Sequence, residues 1–360
     1  MTKRKVIVHI MPYDKFAPAV IRKTNRVFKE IEHYYIIGPR STDVIVEWEN
    51  EKNIIKQTKK KTDHLVEIIK LLWKADRVVL HSYCLQPLWE CISLIFMIIM
   101  RKKYVWMIWG YDLSNEIGDK RVLYRIIRKT LKNNVIKRVA FIAVSCHSDY
   151  IKAMMQYKTK GKEMGIIYPF ELPLLKKNEL TNKADNIVQV AILNCADIAC
   201  RHIEVLETLK RYKERDIRIY CVLSYPKTNT EYINEVIQYG EKIFGDKFVA
   251  ITEFMKYKEY QKFLEDIDIA IFNNNRQQAG GNLTNLLYMG KKIYMSPLNG
   301  LYQEYLDAGA LIYDVDEMEK EDFFYLLSES EKKKNKEIIE YRQSDEFYRK
   351  CWGPALGCKE

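Results

Sequence analysis

Residues 266–297 read DIDIAIFNNNRQQAGGNLTNLLYMGKKIYMSP, and this stretch constrains the fold more than any other. Residues 267–272 are a short, β-branched apolar run of strand length. Residues 273–281 form a polar loop carrying Arg276, Gln277, Gln278 and the pair Gly280 and Gly281. Residues 282–289 open a helix with leucines on one face, Gly290 stops it, and 292–295 are the next strand. Such a unit sets its loop in front of a helix N-terminus, where unpaired N–H groups and the helix dipole favour an anion. Glycine lets a ligand approach the backbone closely, and a guanidinium fork matches phosphate oxygens. The stretch reads either as a pyrophosphate cradle for a nucleotide-sugar or as a helix start in a glycine turn with Arg276 solvated.

The same alternation runs along the whole chain, whose 360 residues suffice for about two domains. Strands are expected at 6–11, 34–37, 44–47, 77–81, 103–108, 138–144 and 165–168, with helices between them, including a basic one at 119–132. The segment PFELPLLKKNELTNKADN has two prolines and no period, and so reads as a linker. Beyond it, strands are expected at 187–193, 217–223, 248–252, 267–272, 292–295 and 311–313, followed by a charged helix at 318–341. The domains are therefore drawn at 1–169 and 187–343, with a linker at 170–186 and a tail helix at 344–360. Strands alternating with helices on both sides of a linker imply an α/β chain of two doubly wound, Rossmann-like domains facing a cleft. Ligands in such sheets bind at the carboxyl ends of strands, near the switch in strand order.

On that rule the strand ends are the candidate sites. In the second half, Asn194, Asp197 and His202 follow one strand, Tyr225 and Asn229 another, Glu253 a third, and Arg276, Gln277, Gln278, Gly280 and Gly281 a fourth. Four polar strand ends on one rim, with an arginine and two glycines, fit a nucleoside diphosphate. In the first half, His9 leads into Asp14, His81 closes its strand, and Trp109, Gly110 and Asp112 follow the strand at 103–108. One of these carboxylates or imidazoles would take the proton of an acceptor hydroxyl. Asp14 ranks slightly ahead of Asp112, with His9 a third candidate. Each also has a structural alternative: Asp14 as a helix cap, His81 as a core histidine, Asp112 as the pin of the Trp-Gly-Tyr turn. Two D-x-D strings, at Asp266 and Asp268 and at Asp314 and Asp316, sit at a strand start and before a helix, so no metal site is expected from them.

At these motifs the chain resembles the bacterial TDP-N-acetylfucosamine:lipid II N-acetylfucosaminyltransferase family of enterobacterial common antigen synthesis. The resemblance rests on 9–14, His81 with Pro87-Leu88-Trp89, Trp109-Gly110 with Asp112, Asn194 with Asp197 and His202, Tyr225-Pro226 with Asn229 and Tyr232-Ile233, and Arg276-Gln277-Gln278 with Gly280. It implies a GT-B fold, an inverting mechanism without a metal or other cofactor, a TDP-sugar donor as substrate, and a polyprenyl-diphosphate-linked acceptor at the inner membrane. His81, Trp109 and Gly110 would then lie on the acceptor side. The chain departs from the family at Cys195, Ala196 and Cys200, where Ser, Gly and Asn are favoured, at Met107, and at Asn282.

Charge fits that setting. Residues 1–180 hold 34 Lys and Arg against 18 Asp and Glu, a net of +16, while the rest of the chain holds 25 against 30. A basic first half suits an anionic inner-membrane surface, approached from the cytoplasmic face. The longest apolar run, CISLIFMIIM, is too short to cross a bilayer and is expected to be a buried helix. Eight cysteines without a C-x-x-C pair read as reduced cytosolic thiols. A nucleic-acid-binding protein is the alternative that the charge raises. It is set aside because the basic residues lie on helices with no interleaved aromatic platform.

Overall fold

The computed structural model describes residues 4–14, 16–39, 53–57, 64–114, 122–170, 172–173, 187–225 and 229–358. The chain divides into two units, Met1–Phe170 with Arg342–Glu360, and Glu171–Tyr341. The strand expected at 44–47 and most of the 170–186 linker lie outside the described residues.

Unit 1 runs β1 (Val6–Met11), α1 (Ala17–Val27), β2 (Glu32–Ile37), β3 (Ile54–Lys56), α2 (Leu65–Lys74), β4 (Arg77–His81), α3 (Pro87–Ile98), β5 (Lys103–Met107), α4 (Tyr111–Ser114), α5 (Val122–Ile136), β6 (Phe141–Val144), α6 (His147–Tyr157) and β7 (Lys162–Gly165). All strand pairs are parallel, in the order β3-β2-β1-β4-β5-β6-β7. The order reverses between β1 and β4, the switch point of the sheet. One face is covered by residues from α2, α3, α5 and α6, with Trp106 and Tyr104 at its centre. The last strand lies a few residues before the expected 165–168, because 162–165 is the stretch in register with β6.

Unit 2 runs β8 (Val188–Leu193), α7 (His202–Leu209), β9 (Ile217–Val222), α8 (Thr230–Phe244), β10 (Phe248–Ile251), α9 (Tyr257–Asp266), β11 (Ile269–Phe272), α10 (Gly280–Tyr288), β12 (Lys292–Met295), α11 (Leu301–Asp307), β13 (Tyr313–Asp314) and α12 (Glu329–Arg342). This sheet is also parallel, in the order β10-β9-β8-β11-β12-β13, and its switch point lies between β8 and β11. Helix α11 has no counterpart among the expected elements. The single charged helix expected at 318–341 is instead two 3-10 turns, Val315–Glu319 and Glu321–Phe324, followed by α12. Phe323 explains the break: it is fully buried and stacks on Tyr212 and Tyr294, which draws the segment into the core.

Helix α13 (Asp345–Leu356) returns to unit 1. Its Trp352, Tyr348 and Leu356 are fully buried against Ile7, Val79 and Val105, the second face of the first sheet. Arg77 closes its far end by donating to the carbonyls of Pro354 (2.6 Å) and Ala355 (2.8 Å). A cation at a helix C-terminus satisfies carbonyls that lack intrahelical partners.

Two expectations about the surface are corrected. Helix α3 is not buried all round: Cys91, Ile95 and Ile98 are exposed, as is Ile99 beyond its end, while α5 packs against its other side. In α5, Arg128 and Lys132 turn inward. Arg128 pairs with fully buried Glu90 at 2.8 Å, and Lys132 donates to the Asp112 carbonyl between the rings of Tyr83 and Tyr157. The outward face of α5 carries Val122, Leu123, Ile126 and Ile127 beside Arg125 and Lys129. Lys120 and Arg121 lie outside the described residues.

Candidate active site

The carboxyl ends of β8 and β11 bring the central residues of the second rim together. Asp197 Oδ1 accepts from Ala199 N (2.8 Å), capping the 3-10 turn Ile198–Cys200, and its Oδ2 accepts from Arg276 Nη2 at 2.7 Å. Asp197 thus holds Arg276 at the switch point and leaves the rest of the guanidinium fork for another anion. Asn282 Nδ2 donates to Asn194 Oδ1 at 2.7 Å, tying the first turn of α10 to the end of β8. No side chain caps α10, which starts after Ala279 in a left-handed conformation with φ +66°. Its first-turn N–H groups therefore remain for a ligand or water.

The loop between β11 and α10 holds several buried polar atoms without partners: Asn273 Oδ1, Asn274 Oδ1 and Gln278 Nε2. Buried polar groups are ordinarily paired, so these three atoms leave hydrogen-bonding capacity that water or a ligand can take up. Gln277 beside them is partly exposed. Asn273 also lines a concave pocket of about 350 Å³ with Arg201, Ser296 and Asp316, at the ends of β11, β12 and β13. Asn273, Asn274, Asn282 and this pocket were missed in the sequence. The loop's polar composition was visible there, but which of its side chains turn inward was not.

The remaining second-rim candidates divide. Tyr225 is 66% exposed, and its carbonyl accepts from Ala196 N. Asn229 caps α8 through Tyr232 N (3.0 Å), and Glu253 is exposed beyond β10. His202 is fully buried: its Nδ1 meets the Tyr232 hydroxyl at 2.9 Å, and burial pulls its pKa down to about 4, so the ring is neutral. Its Nε2 has no partner among the described residues.

Unit 1 sorts its candidates the same way. Asp14 is partly exposed. Its Oδ1 accepts from Phe16 N (2.9 Å), and its Oδ2 accepts from none of the described residues. Beside it Phe16 packs edge-on against Trp109, Tyr168 and Phe170, an aromatic cluster at the rim of the sheet. Asp112 is only 3% exposed and fully engaged: Oδ2 accepts from Trp106 Nε1 (2.9 Å) and Tyr83 N (3.1 Å), Oδ1 from Trp109 N (2.9 Å). Burial raises its pKa while these bonds lower it. It pins the turn in which Gly110 takes φ +82°, a left-handed conformation that glycine adopts without penalty.

His9 and His81 lie inside the sheet layer rather than on its rim. With His33 they form a chain: His33 Nδ1 to His9 Nε2 at 3.0 Å, His9 Nδ1 to His81 Nε2 at 3.0 Å, and His81 Nδ1 to the Tyr168 hydroxyl at 3.4 Å. Trp352 of α13 stacks on His81 and Tyr35 on His9. A fully buried imidazole cannot reach an acceptor hydroxyl, so His9 acts through the fold rather than as a base.

Two of the D-x-D carboxylates have structural tasks. Asp268 accepts from Gln189 N at 2.9 Å, and Asp314 caps the Val315–Glu319 turn. Among the described residues no group of three or more His, Cys, Asp or Glu is placed to hold a metal ion.

Two parallel-sheet Rossmann-like domains, with a polar switch point on the second, are the GT-B architecture, and solved structures agree on the fold. Anabaena HepE in complex with UDP and glucose superposes with a TM-score of 0.66 at 10% identity, over 98% of this chain and 99% of that one. A Rickettsia africae glycosyltransferase gives 0.60 at 14% identity, over 97% and 99%. Trehalose-6-phosphate synthase OtsA gives 0.62 at 11% identity, over 99% of each chain. The chain belongs to the 4-alpha-L-fucosyltransferase family, glycosyl transferase group 56, which matches residues 25–352, and it is a nucleotide-sugar-dependent glycosyltransferase.

Proposed function

We propose that this transferase moves a deoxy-amino sugar of the N-acetylfucosamine type from a TDP-sugar to a polyprenyl-diphosphate-linked oligosaccharide, in surface polysaccharide synthesis. The observation that carries this reading is the β8–β11 switch point, where Arg276, held by Asp197, stands before the uncapped N-terminus of α10. HepE was solved with UDP and glucose, which supports a nucleoside diphosphate at the equivalent rim. The acceptor hydroxyl attacks the anomeric carbon opposite the leaving group, and the bond to the nucleoside diphosphate breaks. Asp14 takes the proton, while Arg276 and the α10 amides stabilise the charge on the leaving group, so no metal is required. A donor carrying another nucleotide is the second reading, favoured by Cys195, Ala196 and Asn282 at positions where the chain departs from the family pattern.

A thermal-shift panel of TDP, UDP, GDP and CMP tests the nucleotide, with TDP expected to give the largest shift. In calorimetry, Arg276→Ala should weaken TDP binding by about 1.5–3 kcal/mol, the value of a hydrogen bond to a charged group. Unchanged affinity would remove Arg276 from the donor site.

The acceptor side calls for a lipid surface. No helix among the described residues is long and apolar enough to cross a membrane. Instead, α5 exposes Leu123 (71%), Ile126 and Ile127 beside Arg125 and Lys129, and the adjoining α3 exposes Ile95 and Ile98. Apolar side chains flanked by cations suit the boundary between headgroups and acyl chains of an anionic leaflet, which we assign as the inner membrane's cytoplasmic face. The protein should sediment with anionic vesicles, and salt should weaken but not abolish binding, since only the charge component is screened. Leu123→Ser with Ile127→Ser should remove the salt-resistant part. Equal sedimentation of this variant and the native protein would reject the apolar contact.

A further inference from the structure

The turn that carries Asp197 is bracketed by two cysteines. Cys195 follows the end of β8 and Cys200 ends the 3-10 turn, and their sulfurs lie 3.8 Å apart. Both are reduced. Cys195 is 9% exposed and Cys200 fully buried. Asn274 Nδ2 donates to Cys200 Sγ at 3.0 Å, and the Cys195 thiol points at Gln278 Oε1 at 3.6 Å. The four residues between the two cysteines therefore form a small loop that contains Asp197, the carboxylate partner of Arg276.

We propose that Cys195 and Cys200 are a dithiol modification site, which a hydroperoxide converts to a disulfide that weakens nucleotide binding at the donor rim. Its effect on binding rests on the donor-site reading of Arg276. The thiolate is the nucleophile in such chemistry, and the pair supplies one. The contact between the two sulfurs favours loss of one proton from the pair, while burial opposes it. The Asn274 amide adds a hydrogen bond that suits a thiolate. The attack falls to Cys195, the less buried sulfur, as its thiolate: sulfur bonds to one peroxide oxygen, the O–O bond breaks, and the departing oxygen leaves as water after taking a proton. The sulfenic acid so formed is attacked by the second sulfur: the S–S bond forms, the S–O bond breaks, and a second water leaves. Two thiols and one hydrogen peroxide thus become one disulfide and two waters, with two electrons passing to the peroxide.

Closing the bond draws the sulfurs from 3.8 Å to roughly 2 Å. The turn must rearrange to allow this, and with it the Asp197 cap on Ala199 N and the grip of Asp197 on Arg276. Loss of a positioned charge-assisted contact corresponds to roughly a tenfold or greater loss of nucleotide affinity.

The test uses the full-length protein, reduced and then treated with hydrogen peroxide. Peptide mapping after alkylation should find a Cys195–Cys200 crosslink. TDP and UDP affinity, measured by calorimetry, should fall about tenfold and recover with dithiothreitol, the loss expected for one such contact. Cys200→Ser and Cys195→Ser should each keep, after peroxide, the nucleotide affinity they had before it. Both thiols remaining alkylatable, or crosslinking to other cysteines instead, overturns the site. A crosslink that leaves affinity unchanged overturns its coupling to binding. Reduced protein that binds neither nucleotide overturns the donor-site reading and the coupling with it, while the mapping still decides the dithiol.

Discussion

Asp14→Asn should cut kcat by about 10²-fold or more while leaving donor affinity and melting temperature unchanged, the lower range for loss of a general base. The substitution is a clean one because Asn keeps an oxygen for the Phe16 amide that Asp14 Oδ1 accepts, so the entry to α1 is preserved. What it removes is basicity at the second oxygen, beside the aromatic cluster of Phe16, Trp109, Tyr168 and Phe170, whose rings suit stacking against a sugar face. Asp112→Asn is the contrasting variant. All three donors around its carboxylate, Trp106 Nε1, Tyr83 N and Trp109 N, need acceptors, and an amide NH2 turns toward at least one of them. That variant should lose about 2–4 kcal/mol of stability, in the range for a buried donor left unpaired. Comparing kcat with the melting temperature separates the two roles. Near-normal turnover in Asp14→Asn would end its assignment as the base.

Acidification should destabilise unit 1 well before its exposed carboxylates titrate. In the His33–His9–His81 chain every link joins two ring nitrogens, so each link needs one donor and one acceptor. Neutral rings satisfy this. A further proton on His9 is opposed by burial, which takes the charge out of water, and by the neighbouring histidines when they are charged. Burial holds the pKa of His33 at about 4 and of His81 at about 3, and puts His9 well below its usual value. The unfolded chain, with ordinary histidines near 6.5, binds more protons below that pH. The stabilisation is therefore complete above about pH 7 and is lost as pH falls from 6.5 towards 4, at up to about 1.4 kcal/mol per pH unit for each histidine. At pH 5 this amounts to about 2 kcal/mol per histidine. Buried Asp112 and Glu90, whose pKa values burial raises, act in the opposite sense, so the raw slope mixes the two. Denaturant melts of the native protein and His33→Gln at pH 7.5 and 5.0 isolate the histidines, because Gln can bond to His9 without titrating. Equal pH dependence in the two proteins would show that the chain does not control acid stability.

How each candidate was placed shows where a sequence is informative. Runs such as 6–11, 77–81 and 292–295 matched strands to the residue, since β-branched length and flanking turns are local properties. The parallel, doubly wound plan followed from alternation alone. The strand–loop–helix unit at 267–295 was legible for the same reason, and it places Arg276 and α10 at the switch point of the second sheet.

Orientation was not legible. Whether His9 meets solvent depends on Trp352 and Tyr348, which come from the other end of the chain to cover that face of the sheet. Whether Asp112 is a base or a pin depends on Trp106 and Tyr83 converging on it. Lys132 and Arg128 read as surface charge until Asp112 and Glu90 supply inward partners. Cys195 and Cys200 read as unrelated filler until a 3-10 turn sets their sulfurs side by side. Sequence by itself determined most of the strands and helices and the doubly wound plan, because periodicity and turn chemistry act over a few residues. Only the tertiary structure decided which polar groups are exposed, paired or orphaned, because burial and hydrogen bonding are set by residues distant along the chain.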